Sequence, residues 1–82
     1  MTQIVHYSWH TRAGTVWIHP RLNGWWVSLD GDVLDGPFDS ARTALETLVS
    51  GRSYWPSFAD PVLDDPSRLG IPEDISLWEA VR

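Results

Sequence analysis

Apolar and polar residues alternate with a period of two from Ile4 to His10 and again from Thr15 to Arg21, the pattern of strands that bury one face. In the first run Val5, Tyr7 and Trp9 oppose His6, Ser8 and His10; in the second, Val16, Ile18 and Pro20 oppose Thr15, Trp17, His19 and Arg21. Turn chemistry separates the runs. Thr11-Arg12-Ala13-Gly14 supplies one turn, and Asn23-Gly24, a strong hairpin signal, leads into Trp25-Trp26-Val27-Ser28-Leu29. Pro20 cannot donate to a ladder, so it marks an edge or the end of its strand. Asp30-Gly31-Asp32 turns the chain once more, and Val33-Leu34-Asp35 returns as a short strand before Gly36-Pro37-Phe38. The pattern predicts a meander of three or four antiparallel strands with Val5, Tyr7, Trp9, Val16, Ile18, Trp25, Val27 and Leu29 on its inner face.

The period then changes. Asp39-Ser40 offers a helix N-cap, and Ala41, Ala44, Leu45, Leu48 and Val49 form one apolar stripe, with Gly51 as the stop. This helix is expected to lie across the inner face of the sheet. From Ser53 the pattern weakens, and Pro56, Pro61 and Pro66 argue for an irregular strap. Pro72, followed by Glu73 and Asp74, predicts a short last helix reaching Ala80. The expectation is one α+β domain over residues 1–82: sheet at 1–38, helix at 39–51, and a Pro-rich strap with a short terminal helix at 52–82.

Composition narrows the class of protein. The chain has 82 residues, no cysteine and a formal charge of −5, which excludes a disulfide-stapled scaffold, a thiolate metal site and a Cys nucleophile. No window approaches the ~18 apolar residues of a membrane span, and Met1-Thr2-Gln3 lacks a basic n-region, so a cytoplasmic location is expected. The charge is unevenly placed. Residues 1–29 hold two arginines and no acid, whereas residues 30–82 hold four arginines and all eleven acids. Six tryptophans are more than a small core readily accommodates, since each buries roughly 150–250 Å².

No constellation carries catalytic or metal chemistry. His6 and His10 point the same way but stand about 13 Å apart along a strand, too far to share an ion with nitrogens near 2 Å. The loop beginning at Asp30 has Leu34, Asp35 and Ala41 where a calcium loop needs an oxygen ligand, Gly and Glu. No Gly-x-Ser-x-Gly elbow or phosphate-binding glycine loop occurs. The sequence therefore predicts no catalytic residue, no metal and no cofactor.

Interaction chemistry is better represented. Trp17, Trp26, Arg21, His6, His10 and His19 are expected on the outward face of the sheet, and Trp and Arg are enriched in interaction hot spots. Two arrangements compete there: either Trp55 or Trp78 from the strap folds over the outward indoles, or the indoles stand open to a partner or a second copy of the chain. The acids Asp30, Asp32, Asp35, Asp60, Asp64, Asp65, Glu73 and Asp74 suit a protein partner with a basic surface, while the net charge argues against direct nucleic-acid binding.

Trp25-Trp26 followed by Gly36-Pro37-Phe38 and a helix resembles the Gly-Pro-Phe element of GYF domains over residues 25–50, although the Gly-Tyr-Phe signature itself is absent. That resemblance implies recognition of proline-rich peptides on an aromatic surface. In size, acidity and tryptophan content the chain is also similar to phage-encoded anti-defence proteins of the anti-CRISPR type, which implies an inhibitor that blocks a basic nucleic-acid-binding surface. The function expected first is such an inhibitor, with a peptide-binding module using Trp17, Trp26 and Arg21 as the alternative.

Overall fold

The computed structural model describes residues 5–82, and the expected strand start at Ile4 lies outside them. The protein is α+β, with four consecutive strands, β1 (His6–Thr11), β2 (Gly14–Arg21), β3 (Gly24–Leu29) and β4 (Asp32–Phe38), and one helix, α1 (Ala41–Val49). A fifth strand, β5 (Glu79–Val81), completes an antiparallel sheet ordered β4-β3-β2-β1-β5.

The period-two pattern is realised in the register. Tyr7 lies opposite Ile18, and Ile18 opposite Val27, so one row of apolar side chains crosses three strands. Val16, Ile18, Val27 and Leu29 are buried beneath Ala44, Leu45 and Leu48 of α1. Ser40 caps the helix, its Oγ accepting from the Thr43 amide at 3.1 Å. Tyr7, Trp9 and Trp25 pack half-buried against this core from the same face. Strand β4 runs longer than its sequence suggests because it absorbs irregularity: Trp25 faces Phe38 and Val27 faces Asp35, so three steps on β4 match two on β3. A bulged edge strand tolerates Pro37, whose missing N–H costs no ladder bond.

The end of the chain corrects the expected terminal helix. A single 3-10 turn at Ile75–Leu77 follows Pro72, and the chain then straightens to pair with β1, Ala80 opposite Tyr7 and Glu79 opposite Ser8. Two forces outweigh the helix signal. Trp78 is drawn into the core, where it is 4% exposed and its Nε1 donates to the Pro72 carbonyl at 3.1 Å. The open edge of β1 also offers unpaired backbone groups that an extended segment satisfies and a helix does not. The sheet thus gains a fifth strand that no alternation in residues 79–81 announces.

Candidate interaction surface

The strap decides the competition for the outward indoles. Trp78, at 6.5 Å from Trp9 between ring centroids, belongs to the core on the helix side, and Trp55 and Phe58 pack against that same core. Trp55 Nε1 donates to the Leu63 carbonyl at 2.8 Å, which fixes the strap around its own indole. Neither Trp17 nor Trp26 is part of that cluster, and no described residue of the strap lines the depressions beside them.

The opposite face is built on β2, the middle strand, where alternation carries Trp17, His19 and Arg21 outward. Trp17 lies between Ser8 on β1 and Ser28 on β3, and both serines are buried on a face with no helix. A wide ring flanked by two small side chains produces that burial. His19 lies across from Trp26. Its Nε2 is hydrogen-bonded to Ser28 Oγ at 2.6 Å, and its ring stacks on that of His6 with centroids 6.0 Å apart and planes 2° from parallel. Burial first, then the neighbouring charges of Arg21 and His6, hold the His19 imidazole below its ordinary pKa, so the neutral ring is favoured.

Two depressions meet at Arg21. One, polar, is lined by His6, Trp17, His19, Arg21, Ser28 and Gly31; the other, mostly apolar, lies at the hairpin end of the sheet along Pro20, Arg21, Leu22, Asn23 and Trp26, where Pro20, opposite Trp25, alternates to the helix side. Leu22, at the tip of the β2–β3 hairpin, is fully exposed. Trp26 lines this groove and is held in place. Its Nε1 donates to Asn23 Oδ1 at 3.1 Å, and its ring lies so close over Gly36 that a Cβ there would stand 2.6 Å from two ring carbons. The sequence pattern reads Pro20 as a strand end and Asn23 as a hairpin turn, and places neither of them nor Leu22 in a site; an apolar residue at a hairpin tip is the signal that marks the groove.

The acids occupy different places, and most are bound to backbone. Asp30, in the β3–β4 turn, accepts from the Thr15 amide at the start of β2 at 2.9 Å. Asp35 accepts from the Gly36 amide at 2.9 Å and the Tyr54 amide at 3.2 Å, latching the strap to β4. Asp60 accepts from the amides of Val62 and Leu63, and Asp64 from that of Phe58, closing the turn in the strap. Asp65 and Asp74 each cap a 3-10 turn, accepting from the amide and hydroxyl of the serine two residues on, Ser67 and Ser76. Hydrogen bonds from those serines hold both carboxyls below the usual carboxylate range. Asp32 and Glu73 are exposed; Glu73 shares a depression with Asp74, Arg42 and Glu46. The repeated Asp-x-Ser spacing at 65–67 and 74–76 is the sequence signature of these caps.

Among the described residues no three of His, Asp or Glu group as metal ligands, and no helix is long and apolar enough to cross a membrane. Comparison with protein-family models, with curated proteins and with solved structures finds no match to this chain.

Proposed function

We propose that the protein is a non-catalytic protein-binding domain of the cytoplasm that engages its partner through the outer sheet face, with Trp17, Trp26 and Arg21 as anchors. The observation that carries this reading is that the strap packs both its tryptophans on the helix side and leaves this face to its own side chains. Aromatic rings held on rigid strands lose little freedom on binding, and Trp and Arg are enriched in hot spots. The test is capture of a partner from host extract by the wild-type chain and by Trp17→Ala/Trp26→Ala. Loss of the captured protein by a double variant that keeps the wild-type far-UV spectrum and still unfolds cooperatively in urea is the expected result; retention by the double variant overturns the reading.

A second reading keeps the acids as the contact, in an inhibitor of the anti-CRISPR type that blocks a basic nucleic-acid-binding surface. Its support is that Asp65 and Asp74 are held ionised in fixed turns, so their charge is preorganised. Asp32→Lys/Glu73→Lys discriminates the two, because neither exposed side chain caps a turn. Binding that collapses on this reversal and survives the tryptophan changes favours the acidic inhibitor.

A further inference from the structure

We propose that the outer face and the hairpin end beside it form a bipartite site for an acidic peptide segment: the depression at His6, His19 and Arg21 takes a carboxylate, and the groove at Pro20, Leu22 and Trp26, which shares Arg21, takes the apolar side chain beside it. This rests on the sheet-face reading above and adds the chemistry of what is recognised.

Charge complementarity selects the occupant. No acid lines either depression, and Arg21 borders both. Its guanidinium offers a planar fork of donors suited to a carboxylate. Because the Nε2 of His19 is committed to Ser28, Nδ1 is the remaining ring nitrogen, and it donates to a carboxylate when Nε2 accepts from the hydroxyl or when the ring is protonated. The rest of the protein is acidic, but at physiological ionic strength charges more than about 8 Å away are largely screened. By register two acids lie nearest on this face: Asp30, beside Gly31 and two residues beyond Ser28, whose carboxylate is taken by the Thr15 amide opposite it, about 13 Å along β2 from His19; and Glu79 on β5, which pairs with Ser8 two strands from β2, roughly 10 Å away.

The chain's own segment of suitable chemistry, Asp60-Pro61-Val62-Leu63-Asp64-Asp65, is not available as a ligand for a second copy. Its three carboxylates are bound into turns and Val62 and Leu63 are half-buried. A single guanidinium beside an apolar groove also fits a carboxylate next to a hydrophobic side chain better than a doubly charged phosphate.

The groups acting on His19 are His6 from β1 and Arg21 from β2, while β3 contributes the neutral Ser28 and Trp26. A bound carboxylate favours the imidazolium and raises the pKa of His19. Affinity therefore rises as pH falls through the bound-state value and levels off below the free-state value, a range in which an Asp side chain of ordinary pKa near 4 stays ionised.

The experiment is an NMR titration of the isotope-labelled full chain with the capped peptide Gly-Ser-Leu-Asp-Asp-Ser-Gly, its Asn-Asn and Lys-Lys counterparts, and inorganic phosphate. The Asp peptide is expected to shift the Trp26 indole N–H and the His19 ring, to bind about tenfold more tightly than the Asn peptide, and to lose about tenfold in affinity with Arg21→Glu. Its affinity is expected to rise between pH 7.5 and 6. Equal binding of the Asn peptide, stronger binding of the Lys peptide, stronger binding of phosphate, shifts confined to the strap, or no shift at millimolar peptide overturns the proposal. So does sedimentation as a dimer that Arg21→Glu dissociates, which would put a second copy in the groove. If Trp17→Ala/Trp26→Ala abolishes partner capture while Asp and Asn peptides bind alike, the sheet-face function stands and acid recognition falls. If the Asp peptide binds as expected while capture is indifferent to the tryptophans, the reverse holds.

Discussion

On the helix side of the sheet Val16, Ile18 and Val27 are sealed from solvent under Leu45 and Leu48, while the residues that alternate with them on the same strands, Trp17, His19 and Trp26, remain partly open. Both faces come from one period-two pattern, so alternation alone does not make them different. The difference comes from side-chain shape and from what covers each face. Branched aliphatic residues interdigitate with a helix at interior density, whereas the indoles and imidazoles of the outer face pack sideways, Trp17 over small serines and His6 on His19. A face that satisfies itself laterally needs no second layer, and it stays available.

The sharpest break of this contrast is a pair of truncations. Leu48→Ala empties a fully buried site and is expected to cost about 2–5 kcal/mol in urea unfolding. Trp17→Ala removes a larger side chain yet is expected to cost less, because the ring already lies partly in water. A loss for Trp17→Ala as large as about 3–5 kcal/mol, the range for core aromatics, would make the outer face a second core and end its candidacy as a binding surface.

Next in size is Gly36→Ala. Gly36 has φ +148°, and its new Cβ would press on the Trp26 ring and the Trp25 carbonyl. The expected cost is about 1–3 kcal/mol. Near-UV circular dichroism checks the attribution, since displacement of Trp26 should change it while Leu48→Ala leaves the outer indoles in place.

Ser40→Ala tests the helix that makes the inner face dry. Loss of its bond to the Thr43 amide is expected to lower stability by about 0.5–2 kcal/mol, with no effect on binding at the outer face. A binding defect in this variant would couple the two sides.

The smallest effect is that of pH. The folded state favours neutral His19, so the stability this contributes is complete above the unfolded pKa, about 6.5, and declines as pH falls through it toward the lower folded value. A urea midpoint that drops between pH 7.5 and 5.5, and drops less in His19→Gln, is expected. The contributions of Asp65 and Asp74, with lowered folded pKa values, persist to lower pH and vanish only as those carboxyls protonate.

Much of the fold is legible in the chain because local rules and tertiary demand agree. The Asn23-Gly24 turn, the Ser40 cap and the Ala44-Leu45-Leu48 stripe appear as read. At the C terminus they conflict: Pro72-Glu73-Asp74 reads as a helix start, but the following residues yield to Trp78 burial and to the bare edge of β1. The candidate surface is half legible. Trp17, Trp26 and Arg21 follow from strand phase, whereas the groove at Pro20, Leu22 and Asn23 depends on how the hairpin tip closes over Trp26. The acids read as a charged surface because charge is visible in composition, while backbone capping by Asp30, Asp35, Asp60 and Asp64 requires amides brought close by folding.

The sequence by itself determined which residues share a face, since pleat and helix periods are fixed by backbone geometry and need no distant partner. Only the tertiary structure decided which face is covered. That outcome turns on where Trp55 and Trp78 find the larger apolar surface to bury, and the aliphatic side under α1 offers more of it than a face already closed by serines, imidazoles and its own indoles.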